Sequence, residues 1–149
     1  MSKTYAFVNP DNGEVVRTMS ISKSPNYYDG AVIHGLTLHD ITSMENTDSF
    51  VGTKYYQDGW KEKPSKPNQF YNWTFDGWVF DSDRFWKEVR RLRAIKLYQS
   101  DWTQLPDAPL TDAQKVEWTT YRQELRDVPI NNTTAQSLEE VVWPTEPTA

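Results

Sequence analysis

The spacing of apolar residues changes along this chain, and the change divides it in two. Tyr5-Ala6-Phe7-Val8 is a short β-type run. The cluster Asn9-Pro10-Asp11-Asn12-Gly13 is a dense turn signal, and Glu14-Val15-Val16-Arg17-Thr18-Met19 returns as a second run. Two such runs around such a cluster predict a β-hairpin with a five-residue loop. Residues 20–30 are polar and turn-rich, with Pro25 and Gly30. Ala31-Val32-Ile33-His34 and Leu36-Thr37-Leu38 are weaker strand candidates, broken by Gly35. Phe70-Tyr71-Asn72-Trp73-Thr74-Phe75, a turn at Asp76-Gly77 and Trp78-Val79-Phe80 predict a second, tighter hairpin.

Beyond residue 81 the period becomes helical. Ser82 or Asp83 is placed to cap a helix starting near Arg84. Phe85, Trp86, Val89, Leu92 and Ile95 recur at helical spacing up to Tyr98. At about 100° per residue, Phe85, Val89 and Leu92 share one side and Arg84, Lys87 and Arg91 lie roughly opposite. Arg93 and Lys96 fall nearer the apolar side, so they need acidic partners there or must extend to water. A second helix opens on Thr111-Asp112-Ala113-Gln114, a capping box. Trp118, Tyr121, Leu125 and Val128 follow as an apolar seam, with Asp112, Glu117, Glu124 and Asp127 off it, and Pro129 is expected to stop the helix. Ser100 to Thr111, with Pro106 and Pro109, forbids one continuous helix, while Trp102 and Leu105 give the connector its own apolar contacts. It reads as a structured joint, and the two helices as an αα-hairpin. An inter-chain coiled coil is the rival arrangement for the same seam.

The predicted fold is therefore α+β: small antiparallel hairpins over 1–82, an aromatic-rich β module, then a helical-hairpin module with an extended tail over 83–149. The tail carries one isolated apolar patch, Val141-Val142-Trp143-Pro144, which can dock on its own helices or on a partner.

Composition adds to this picture. Hydrophobic content is 37 %, yet there are seven Trp and eight Tyr. Aromatic rings must therefore supply much of the core or of a contact surface. The net charge of −5 is unevenly spread: about −4 over residues 1–83, about +5 over 84–96 and about −6 over 97–149. A basic segment between acidic ones favours pairing within the chain or with a protein, and argues against nucleic acid. With no cysteine, disulfides, Cys-based zinc sites and a Cys nucleophile are excluded. No apolar run approaches the roughly 20 residues that span a membrane. Met1-Ser2-Lys3-Thr4-Tyr5 lacks the apolar core of a secretory signal, so a soluble protein made in a cytoplasm is expected.

Candidate chemistry is sparse. His34 and His39 would face opposite sides of a strand, and no metal is expected. Asp81 with Asp83, and Glu139 with Glu140, are explained by capping and solvation better than by catalysis. No Gly-x-Ser-x-Gly elbow and no Gly-rich phosphate loop occur. The basic stretch Arg84, Lys87, Arg90, Arg91, Arg93 and Lys96 suits a salt-bridged helix first, with an amphipathic partner-binding face or contact with phosphates as the rival readings. Gln57-Asp58-Gly59-Trp60 is echoed by Phe75-Asp76-Gly77-Trp78, with Lys63-Pro64-Ser65-Lys66-Pro67 extended between them. Trp60, Trp73 and Trp78 are expected to pack on one another in a thin sheet; stacking of sugars is the rival reading.

A family resemblance rests on particular strings. Arg90-Arg91-Leu92-Arg93, the run Ser100-Asp101-Trp102-Thr103-Gln104-Leu105-Pro106-Asp107-Ala108-Pro109-Leu110, Trp118 to Pro129, and Val142-Trp143-Pro144 occur in order. Together, over roughly residues 84–147, they resemble the C-terminal module of bacteriophage tail fibre assembly proteins, the phage tail assembly chaperones. Similar modules also occur at the ends of tail fibre proteins and in other phage tail proteins. The Lys63-Pro64 and Asp76-Gly77-Trp78 region is similar to the aromatic segment often found upstream in that family, whereas residues 1–50 carry no such likeness.

The resemblance implies a non-enzymatic chaperone that binds tail fibre chains and promotes their folding, oligomerisation or attachment. It brings no catalytic residue and no cofactor. Expected partner-binding residues are Trp60, Trp73, Trp78, Trp86, Trp102, Trp118, Tyr121 and Trp143. The partner would be a tail fibre or other tail protein, with a homo-oligomer as a further arrangement, and no nucleic acid or membrane. Action in the host cytoplasm during assembly is expected. The alternative is a virion structural protein that stays in the tail, and a third reading is a glycan-binding module at the host-facing end.

Overall fold

The computed structural model describes residues 1–22 and 24–148. The chain forms two compact units, Met1–Val79 and Phe80–Ala149. The first is built on antiparallel strands and the second on helices, the α+β architecture expected from the change of period.

In the first unit, β1 (Lys3–Val8), β2 (Val15–Ile21), β3 (Val32–Ile33) and β4 (Leu36–Asp40) form one sheet in the order β2-β1-β4-β3. β1 is central, and Tyr5, Ala6, Phe7 and Val8 are all buried because the sheet is covered on both faces. Alternation along the strand sends Tyr5 and Phe7 to one side, with Ala31 and Leu38. Ala6 and Val8 go to the other, with Val15, Ile41 and Phe50. β1 pairs with β4 through Phe7 and Leu38, and with β2 up to Val8 and Val15, after a register shift between Phe7 and Val8.

The turn after β1 is held by its own Asn side chains. Asn9 Oδ1 accepts from the Asp11 N–H at 2.9 Å, and Asn12 Oδ1 accepts from the Glu14 N–H at 3.0 Å. Between β3 and β4 the residues His34 (φ 51°) and Gly35 (φ 78°) form a two-residue hairpin turn. Gly35 thus joins its flanking strands, and His34 sits in the turn instead of on a strand.

A broken single turn, α1 (Phe50–Thr53), buries Phe50 and leads into β5 (Lys54–Tyr56), which pairs with β6 (Trp60–Glu62). β7 (Tyr71–Thr74) pairs with β8 (Gly77–Phe80). The tight turn is Phe75-Asp76, one residue earlier than the sequence suggested, because Gly77 already belongs to the strand. Thr74 Oγ1 fixes it, accepting from the Asp76 N–H at 3.2 Å and donating to the Gly77 carbonyl at 3.0 Å.

In the second unit, α2 runs Ser82–Gln99 and α3 runs Asp112–Asn131. The cap of α2 is Asp81, not Ser82 or Asp83: its carboxylate accepts from the Arg84 N–H at 2.9 Å. Counting from Asp81 places Arg84 at the third helical position, where a capping side chain reaches. α3 opens with the expected capping box between Thr111 and Gln114.

Pro129 does not stop α3, which continues to Asn131. The proline removes one donor in the last turn only, and the end is secured otherwise. Val128 is buried, and Asn132 Nδ2 donates to the Val128 carbonyl at 2.8 Å. The helices run antiparallel: Arg93 Nη1 donates to the Arg126 carbonyl at 3.3 Å and Arg122 Nη1 to the Leu97 carbonyl at 2.7 Å. The seam Trp118, Tyr121 and Leu125 is buried with Leu97, Leu110 and Trp143 of the same unit, so it is an internal seam.

Candidate partner-binding surface

The three tryptophans of the first unit fall into two assemblies. Trp60 is half-buried beside Phe50 (ring centroids 5.2 Å), Tyr56 (5.3 Å) and His39 (5.8 Å). His39 also stacks on Tyr56 at 3.8 Å, and burial pushes its imidazole below the ordinary value while the Asp29 charge opposes this. Trp73 and Trp78 form the other assembly, edge to face at 5.2 Å, with Tyr55 4.9 Å from Trp73. Tyr55 and Tyr56 are neighbours on β5 and point to opposite faces, which separates the two groups. The expected packing of Trp73 on Trp78 is therefore present, and Trp60 stands apart from it.

Lys63 joins the second assembly. It is buried, ion-paired to Glu14, and its Nζ lies 5.1 Å from the Trp73 ring and 4.6 Å from that of Trp78. A buried ammonium needs such compensation, and here a carboxylate and two π faces supply it. Lys66 lies 5.6 Å over Trp78, so lysine cations occupy the ring on which a sugar would stack. Trp78 Nε1 donates to the Pro64 carbonyl at 2.9 Å, and Trp73 Nε1 to the Asn12 carbonyl at 3.1 Å. Both indoles are thereby tied to loops.

In the helical unit the joint after α2 is a compact knot. Ser100 is buried, and its hydroxyl donates to the Lys96 and Leu97 carbonyls at 3.1 and 3.0 Å. Arg122, on α3, donates to the Leu97 carbonyl, to Ser100 Oγ at 2.7 Å and to Asp101 at 2.8 Å. It closes the C-terminal end of α2, where free carbonyls favour a cation. Periodicity did not single out Arg122. Its signal is an arginine directly after Tyr121 of the apolar seam, with Ser100-Asp101 in the joint as partners.

Asn132 was also missed. It is buried, its Nδ2 also reaches the Val142 carbonyl at 3.3 Å, and its Oδ1 accepts from the Val142 N–H at 2.7 Å. The tail is thereby docked on its own helices: Val141 is buried, Trp143 packs on the Trp118 cluster, and Lys96 lies 5.6 Å over Trp143. This decides between the two dockings that the sequence left open. Burial raises the Tyr121 phenol above its ordinary value, helped by the Glu146 charge from the tail.

The eight expected contact residues therefore occupy different positions. Trp73, Trp118 and Tyr121 are buried; Trp60, Trp78, Trp86 and Trp143 are half-buried; Trp102 is exposed at 39 %. Trp102 is held edge to face against buried Trp118 at 5.9 Å, with Leu105 (55 % exposed) following it in the joint. That is an anchored aromatic presented to solvent, flanked by Asp101 and Asp107. No helix among the described residues is long and apolar enough to cross a membrane.

Residues 86–148 match the family model described as phage tail assembly chaperone protein. The match lies within the helical unit and includes the joint, the Arg122 knot and the docked tail. No curated protein and no solved structure matches the chain.

Proposed function

We propose that this chain, whose residues 86–148 belong to the phage tail assembly chaperone family, is a non-enzymatic assembly factor. It binds tail fibre chains and promotes their folding, oligomerisation or attachment in the host cytoplasm. The observation that carries the reading is the family match over a unit that holds Trp102 and Leu105 exposed on the joint bonded by Arg122. Aromatic and aliphatic side chains so displayed suit transient cover of apolar surface on an unassembled partner. Among the eight aromatic residues, Trp102 makes the direct contact. Trp73, Trp118 and Tyr121 act by shaping the units that present the surface.

The test is co-expression of the phage's tail fibre protein with this chain, scoring soluble, trimeric fibre. The expected outcome is a gain with the native chain and loss of most of that gain in the Trp102→Ala/Leu105→Ala variant. No effect of the native chain on the fibre would overturn the reading. Mass spectrometry of purified particles supplies the second arm. Stoichiometric presence would make the chain a structural tail component, whereas absence, with fibre bound in lysate, fits a transient factor.

A further inference from the structure

Between β6 and β7 the strap Lys63-Pro64-Ser65-Lys66-Pro67 brings two ammonium groups to one indole. Lys63 Nζ lies 4.6 Å from the centroid of the Trp78 ring, and Lys66 Nζ lies 5.6 Å from it. Each lysine precedes a proline, which pushes its backbone towards the extended region. Extended proline-rich chain winds three residues to a turn, the spacing of the two lysines, so both side chains leave the strap on one side. The Pro64 carbonyl between them is fixed by the Trp78 Nε1–H at 2.9 Å. Spacing and anchor thus bring Lys66 to the ring that already holds Lys63, although like charges repel.

The two cations are compensated unequally. Lys63 is buried and pairs with Glu14. Lys66 is exposed, and no carboxylate among the described residues pairs with it. Two cations and one anion therefore share the site. Beside them lies a cavity of about 270 Å³, lined by Glu14, Lys63, Lys66, Tyr71, Trp73 and Trp78. Pockets for cofactors and other drug-sized ligands run from about 300 to 1,000 Å³, so this one suits a single side chain or a chain end.

We infer that this cavity takes one carboxylate group of a bound protein, held by the Lys66 ammonium. The single net positive charge of the site matches a monoanion. Glu14 in the wall, and a charge of about −4 over residues 1–83, repel polyanions such as nucleic acid. Trp78 positions the lysine, and the lysine makes the contact, as a charge-assisted hydrogen bond to the carboxylate. One such contact is on the order of millimolar in strength, enough to favour one partner over another and too weak to capture it alone. The carboxylate chemistry rests on the sheet unit alone. That the carboxylate belongs to the protein being assembled rests on the assembly reading. The two fail separately, because the small probes that test the first need no tail protein.

Nuclear magnetic resonance of the full chain follows the indole N–H of Trp78, assigned by its loss in Trp78→Phe. Three probes are titrated at constant ionic strength. N-acetyl-glutamate α-amide carries a side-chain carboxylate, N-acetyl-glutamine a chain-end carboxylate, and N-acetyl-glutamine amide carries neither. The expected result is a saturable shift of the Trp78 signal with at least one carboxylate, at a midpoint on the order of millimolar, and none with the neutral probe. The tighter of the two carboxylates identifies the source as an acidic side chain or a C-terminus. Lys66→Gln weakens the binding about fivefold or more, whereas Lys66→Arg keeps it. Because Lys66 is exposed, neither variant disturbs the core, and the dispersion of the remaining signals checks this. No saturable shift with either carboxylate, an equal shift with the neutral probe, or unchanged binding by Lys66→Gln would each overturn the inference.

Discussion

At Gly13 the backbone has φ +71°, and a Cβ would collide with the Tyr56 carbonyl oxygen and stand 2.8 Å from the Phe75 ring. The Gly13 carbonyl also accepts from the Tyr56 N–H at 2.9 Å, so the two segments cannot simply separate. Gly13→Ala therefore combines left-handed strain with a backbone clash, and is expected to lower stability by about 2 kcal/mol or more in urea titration. His39 gives a second effect at the same scale. Burial lowers its folded pKa below the ordinary 6.5, so the unfolded chain takes up the proton first. Its contribution to stability is complete above about pH 6.5 and declines as the pH falls through that value. Asp40, held down to about 2 by its bonds to Lys3 and Thr42, acts in a separate, lower window, between about pH 4 and 2. Between pH 7.5 and 5.5 the native chain should therefore lose stability. His39→Phe, which keeps a ring against Tyr56, should lose less, as read by thermal melts at both pH values.

Helix α3 shows which boundaries a sequence states and which it conceals. Its start was legible because the capping box is local: Thr111 accepts from the Gln114 N–H at 3.3 Å, and Gln114 accepts from the Thr111 N–H at 2.9 Å. Thr111→Ala should cost about 1 kcal/mol of stability, measured by denaturant melting. Its end was not legible, because Asn132, which caps the Val128 carbonyl, is itself held by bonds to Val142, ten residues away. Asn132→Ala removes these bonds, leaving the buried Val128 carbonyl without its side-chain partner and freeing the Val142 backbone from the helix end. A loss of about 2 kcal/mol is expected, with faster hydrogen exchange at the amides of residues 141–143 as the specific sign. The same distinction runs through the candidate surface. Short apolar runs around a turn cluster revealed the β1–β2 hairpin, helical spacing the apolar sides of both helices, and the prolines with Trp102 and Leu105 the structured joint. Lys63 between Trp73 and Trp78, and Arg122 across Leu97, Ser100 and Asp101, depend on contacts between distant segments that periodicity cannot encode.

The family likeness, the aromatic joint and the docked tail all fall within the unit Phe80–Ala149, whereas the β sheet lies in Met1–Val79. The helical unit has its own buried cluster of Trp118, Tyr121 and Leu125, its own caps and the Arg122 knot, which are the ingredients of independent folding. The proposed function predicts a division of labour: engagement of the tail protein by the helical unit, and selection among partners by the sheet unit, which lies outside the family match. Residues 80–149 expressed alone should show a cooperative thermal transition and retain capture of the tail fibre protein, while residues 1–79 should not capture it. Isothermal titration of each fragment against purified fibre measures this directly. Capture by residues 1–79 alone would move recognition to the sheet, and the likeness at 86–148 would then report shared ancestry without shared contacts.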